Sequence, residues 1–215
     1  MTTTLKIDFV SDVSCPWCAI GLASLERALE RVGSDVQVDL HFQPFELNPG
    51  MPAGGQDVTE HLTQKYGSTA EQQAASREAI RQRGESVGFV FRKEGRGRIY
   101  NTFDAHRLLH WAAIEGSGHQ LALKKALLGA YFTEGRSPAD IEVLVGAAAA
   151  AGLDAQRARE ILAGDEYADA VRKSEQFYLD HGIHAVPAVI INDRHLIEGG
   201  QPPEVFEQAL RRISG

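Results

Sequence analysis

Two cysteines stand three residues apart in Cys15-Pro16-Trp17-Cys18, and no other cysteine occurs among the 215 residues. A Cys-x-x-Cys pair can run thiol-disulfide exchange, in which one thiolate attacks a disulfide sulfur and the second displaces the captured adduct. With nothing to compete for these sulfurs, a separate disulfide framework is excluded. A zinc site would need two further ligands from the eight histidines or the carboxylates, and none of these has a paired spacing. No metal is therefore expected.

The flanking pattern places the pair. Leu5, Ile7 and Phe9 alternate with Lys6 and Asp8, as do Val36, Val38, Leu40 and Phe42 with polar neighbours, and period two predicts strands. Between them Ile20, Leu22, Leu25, Leu29 and Val32 recur at helical spacing and stop at Gly33, a helix terminator. The cysteines thus fall at the first turn of a helix, where unsatisfied N–H groups and a partial positive charge favour an anion. Pro16 suits that turn, which has no use for its missing N–H. On this reading the Cys15 sulfur faces solvent and Cys18 lies on the same side within reach. The helix end contributes up to ~2 kcal/mol, taking a thiol from about 8.5 toward about 7. No Lys, Arg or His flanks the pair, and Asp12 would oppose the thiolate if it faced it, so the redox direction stays open.

The C-terminal end supplies a second strand set. Ala188 to Ile191 reads as a short buried strand, Asn192-Asp193 as a turn, and His195 to Ile197 as its partner. Pro202 and Pro203 open a last helix with an apolar face of Val205, Phe206, Leu210 and Ile213. From about Pro52 to Phe177 the pattern is helical, including a start at Ser137-Pro138-Ala139-Asp140 and a helix from near Thr102, with no convincing strand. The organisation is a strand-rich frame, residues 1–52 with 178–215, holding an inserted helical block, residues 53–177.

The formal charge of −7 argues against a nucleic-acid footprint. No window approaches the ~20 apolar residues of a membrane span. Met1 to Asp12 lacks the long apolar core and cleavage site of a secretory signal, so a cytoplasmic location is expected.

Five separated marks share an order with a known family. They are Ser11-Asp12 with Cys15-Pro16-Trp17-Cys18 and Ile20-Gly21; Pro44-Phe45-Glu46-Leu47-Asn48-Pro49; Asn101-Thr102 with Ala105-His106; Gly182-Ile183 with Ala185-Val186-Pro187-Ala188; and Glu198-Gly199-Gly200-Gln201. Over nearly its whole length the chain resembles the thioredoxin-fold DsbA family and, within it, the FrnE-like branch of soluble proteins with a helical insertion. The resemblance implies an α/β thioredoxin-like fold with a large inserted α-helical domain, and thiol-disulfide oxidoreductase activity on proteins or small molecules. It implies that Pro187 is a cis proline beside the cysteines, catalytic with Cys15 and Cys18, and that Val186 pairs its backbone with a substrate chain.

Trp17 and Pro16 are expected to form an apolar rim, His106 to face the cysteines and support the thiolate, and Gln201 to join them in contacting substrate. Arg92, Lys93, Arg96 and Arg98, interleaved with Gly95 and Gly97, read as a mobile basic stretch able to bind the carboxylates of a glutathione-like substrate. Gly95-x-Gly97 neither follows a strand nor opens a helix, so it is not a dinucleotide motif. No tightly bound cofactor is expected. Partners would be a disulfide- or dithiol-containing protein or a small thiol, glutathione among them, with a homodimer left open.

Two other readings stand beside this one. A glutathione-dependent isomerase or transferase of the chromene-carboxylate isomerase or kappa-class type shares the architecture, but such proteins typically carry Ser at the position of Cys15. A non-catalytic, chaperone-like module would use the apolar surface of the insert instead.

Overall fold

The structure, a computed structural model, describes residues 3–215. Its frame is a four-stranded sheet in the order β2-β1-β5-β6, formed by Thr3–Ser11 (β1), Val36–Pro44 (β2), Ala188–Ile191 (β5) and His195–Glu198 (β6). β2 runs parallel to β1 with Ile7 opposite Leu40, while β5 is antiparallel to β1 with Phe9 opposite Val189. The parallel crossover between β1 and β2 is the helix Pro16–Val32 (α1), so the turn from β1 into α1 carries the cysteines. α1 ends where its periodicity stops, at Gly33 with φ +59.

β1 is central and covered on both faces, which explains why Leu5, Ile7, Phe9 and Val10 are all fully buried. Leu5, Ile7 and Phe9 pack in one cluster with Leu22 and Leu25 of α1 and with Phe206 and Leu210 of the last helix, Pro203–Ser214 (α9). Phe9 also meets Phe42 of β2 in a tilted ring contact at 5.6 Å, and its truncation to Ala would cost about 3–5 kcal/mol. The β5–β6 turn uses Asn192 and Asp193, both at positive φ, residue types that tolerate the left-handed region.

The segment between β2 and β5 folds as helices Val58–Tyr66 (α2), Ala70–Val87 (α3), Phe103–Glu115 (α4), Ser117–Leu128 (α5), Ile141–Ala150 (α6), Ala155–Ala163 (α7) and Ala168–Asp180 (α8). Leu108, Trp111, Leu123, Leu127, Leu144 and Ile161 form its own core. Val13, from the turn between β1 and α1, is embedded in that same cluster, so the cysteine-bearing turn is clamped by the insert.

Three expectations need correction here. The insert is interrupted by two short antiparallel strands, Gln56–Asp57 (β3) and Arg98–Ile99 (β4), too brief to show a period. They close over Gly55, where a Cβ would meet the Ile99 carbonyl oxygen at 2.4 Å. The helix expected from Ser137 starts later, at Ile141, because Asp140 is its cap and accepts from Glu142 N at 2.8 Å; Ser137 and Pro138 form the preceding turn. The basic stretch is pinned rather than free. Arg96 Nη1 donates to Ser14 O at 2.8 Å, and Arg98 donates to Gly54 O and Gly55 O, both at 3.0 Å.

Candidate active site

Cys15 is the N-cap of α1, and Pro16 occupies the first helical position. The Cys15 carbonyl accepts from Cys18 N at 3.1 Å, closing the first turn and bringing both sulfurs to one side. The two are free thiols. A hydrogen bond from the Cys18 thiol holds the Cys15 thiol below its ordinary range; burial opposes this, the Cys18 and Trp17 N–H groups assist it, and the Asp12 charge works against it. Burial, followed by the same bond and the Cys15 charge, pushes Cys18 well above the ordinary range. The two thiols are thus shifted in opposite directions, Cys15 toward the anion and Cys18 toward the protonated form.

Cys15 does not face solvent as expected, being only 4% exposed. Its thiol turns inward and donates to the Val186 carbonyl at 3.6 Å, beneath the loop that precedes β5. The Val186–Pro187 peptide bond is cis. Pro187 can lie this close to α1 because position 21 is glycine; a Cβ there would meet Pro187 Cγ at 3.1 Å. Trp17 is 41% exposed, and a Cβ at Gly200 would stand 3.0 Å from the Trp17 carbonyl. Gln201 is half-buried in the turn after β6, where its Nε2 donates to Glu198 O at 2.7 Å. Pro16, Trp17, Val186, Pro187 and the Gly199–Gln201 turn therefore converge around Cys15.

His106 does not belong to that ring. It is 2% exposed, and its Nε2 lies 3.8 Å from Asp12 Oδ1, so its neighbour is a carboxylate. The helix beginning after Thr102 points it into the interface between frame and insert. Asp12 is fully buried. Burial works against its charge, yet His106 and the N–H groups of Ser14 (2.9 Å) and Leu47 (2.7 Å) outweigh it and hold the carboxyl below its usual value.

Sequence reasoning missed Lys124. It lies on α5 with a buried Nζ that has no hydrogen-bond partner among the described residues and stands 5.8 Å over the Phe42 ring. Burial lowers its pKa, while Cys18, Asp12 and Cys15 draw it back up. It lines a cavity of about 200 Å³ together with His41, His106, His110 and Gln120. A signal was present in the sequence: Gln120, Leu123, Lys124, Leu127 and Leu128 share one helical face, so Lys124 had to be inside if the leucines were. Among the described residues no cluster of three His, Cys, Asp or Glu could hold a metal ion, and no helix is long and apolar enough to cross a membrane.

Comparison with known proteins agrees with this geometry. Residues 6–211 match the family model described as a DSBA-like thioredoxin domain. A crystal structure of a probable DsbA oxidoreductase from Streptomyces coelicolor superposes with a TM-score of 0.87 at 36% identity, covering 97% of this chain and 89% of that one. The uncharacterized protein YwbO of Bacillus subtilis is 29% identical over 96% of each chain. The cytosolic disulfide reductase DsbM from Pseudomonas aeruginosa, solved with GSH, shares the fold at 18% identity and a TM-score of 0.64, over 97% of this chain and 98% of that one. The chain belongs to the family of DSBA-like thioredoxin domains and is, like that family, a disulfide oxidoreductase.

Proposed function

We propose that Cys15 is the attacking sulfur and Cys18 the resolving one in exchange with a protein or small-molecule disulfide. The observation that carries this is positional: Cys15 caps the start of α1 with its thiol 3.6 Å from the Val186 carbonyl and next to the exposed Trp17, while Cys18 lies inside the first turn, fully buried, and the two thiols are shifted in opposite directions. Reducing a substrate begins when the Cys15 thiolate attacks one disulfide sulfur. The substrate S–S bond breaks, a mixed disulfide forms and the departing thiolate takes a proton. Cys18 then loses its proton and attacks Cys15 Sγ, releasing the second substrate thiolate; two electrons leave the enzyme and Cys15–Cys18 becomes a disulfide. The reverse sequence oxidises a dithiol.

Pro187 and Val186 are the wall against which the substrate lies. No described residue accepts from the Val186 N–H, which leaves it free to pair with an incoming chain. Trp17 and Pro16 supply the apolar rim and Gln201 shapes its far side. Glutathione serves as the small thiol that resets the pair, a reading supported by the structure of DsbM with GSH. The thiolate is stabilised by one thiol and two N–H groups but opposed by burial and Asp12, and we expect a potential between those of thioredoxin, about −270 mV, and DsbA, about −120 mV.

Insulin reduction and dithiol oxidation, compared between the wild type and Cys15→Ser, test the assignment. Loss of both activities in the variant is expected, and equal activity in the two proteins would overturn it.

A further inference from the structure

A second cavity, of about 180 Å³, opens beside Pro16 between α2, α3 and the loop that precedes β4. Leu62, Ile80, Phe91 and Phe132 give it apolar walls. Its charged lining consists of arginines alone, Arg77, Arg81, Arg92 and Arg96, with no Asp or Glu, in a chain whose net charge is −7. Arg81 is neutralised by Glu78 at 2.8 Å and by Glu85. The other three are not so matched. Arg77 has no partner among the described residues, Arg92 has only a 3.4 Å contact with Glu94 at the surface, and Arg96 reaches a backbone oxygen, that of Ser14, the residue before Cys15.

Guanidiniums that lack full counter-charge select an anion, and planar forks suit carboxylate, sulfonate or phosphate oxygens. The apolar walls select the body that carries the anion. Pro16 lines this cavity and directly follows Cys15, so the cavity adjoins the turn that carries the redox pair. Resting on the oxidoreductase reading above, we propose that this cavity binds one half of a small organic disulfide, an aromatic or branched apolar body bearing an acidic group. An Asp or Glu side chain of a protein substrate would satisfy the arginines but has no apolar body to fill the space between Leu62, Ile80 and Phe91. Cys15 takes that half as a mixed disulfide, the other half departs as a thiolate, and Cys18 releases the bound half as the second thiolate. The enzyme is oxidised by two electrons and the organic disulfide reduced to two thiols.

The test is single-turnover oxidation of the reduced full-length protein by two aromatic disulfides, the dianionic dithiobis-nitrobenzoate and the uncharged dithiodipyridine. In the double variant Arg77→Gln, Arg92→Gln the rate with the dianion should fall about tenfold, the equivalent of ~1.4 kcal/mol. The rate with the uncharged disulfide should stay within about twofold, a difference of ~0.4 kcal/mol. Arg83→Gln, on the same helix but outside the cavity, should leave both rates unchanged. Equal slowing of both disulfides, no change with either, or the same selective loss in Arg83→Gln would overturn the proposal while leaving the thiol chemistry intact. Slowing of a glutamate-flanked disulfide peptide with the aromatic dianion unaffected would overturn it in favour of an acidic peptide. A wild type that reacts with neither disulfide would instead remove the oxidoreductase reading on which the proposal rests.

Discussion

The two sulfurs sit one helical turn apart and meet opposite surroundings. Around Cys15 lie the start of α1, the Val186 carbonyl and the exposed Trp17, and the arginine-lined cavity adjoins the next residue, Pro16. Behind Cys18 lie Asp12, His106 and Lys124, each buried where the insert packs on the frame. The front is assembled from main-chain groups and a mobile substrate can complete it. The back is closed, and its charges must be balanced by one another. One residue type thus meets two environments, which is what the proposed division into an attacking and a resolving thiol rests on, and the insert covers the second side.

Exchanging the two sulfurs breaks this comparison most directly. Cys15→Ser should abolish turnover, a loss of at least ~10³-fold because no other thiolate replaces the nucleophile. Cys18→Ser should keep the first attack and accumulate a mixed disulfide visible by intact mass. Accumulation in the Cys15 variant instead would invert the roles.

The next largest effect concerns the sealed side. Lys124→Met removes a buried amine with no partner and should stabilise the reduced protein by about 1–3 kcal/mol near neutrality. The sign with pH follows from its lowered pKa. Between that value and 10.5 the unfolded chain binds the extra proton, so wild-type stability rises with pH across the window and the advantage of the variant shrinks. Denaturant melts at several pH values check this; a variant less stable at neutral pH would show that Lys124 is paired. The same substitution removes the charge that favours the Cys18 thiolate, so release of the mixed disulfide should slow.

Smaller shifts sharpen the front. Cys18→Ala removes the main donor to Cys15 and should move the alkylation inflection of Cys15 upward, whereas Asp12→Asn removes an opposing charge and should move it downward. Opposite movements in the two variants are the expected signature. Smallest of all, Trp17→Ala should change stability by no more than about 0.5 kcal/mol, since the ring is 41% exposed, and should act on substrate affinity alone.

Much of the frame was legible because its elements are long and periodic. Ile20 to Val32 announced α1 and its stop at Gly33, and the alternation from Val36 announced β2. β3 and β4, at two residues each, carry no period, and only the backbone approach at Gly55 reveals them. At the site, the spacing and Pro16 located Cys15 at the helix start, but its burial depends on the Val186 loop, 171 residues away, which no local pattern encodes. His106 stood in a recognisable mark, yet its partner Asp12 comes from another element, so residue type alone could not say which it faced. Lys124 was hidden by the habit of reading lysine as surface, although its helical phase placed it among leucines.

The central claim is that the pair is split, with Cys15 ionising first and Cys18 last. Titrating thiolate absorbance in the ultraviolet for the reduced wild type and for each single Cys→Ser variant tests this directly. The account predicts that the thiol left in Cys18→Ser, Cys15, ionises at lower pH than the thiol left in Cys15→Ser, Cys18, and that the wild type shows two separated steps. A single shared step at the ordinary thiol value, or Cys18 ionising first, would contradict it.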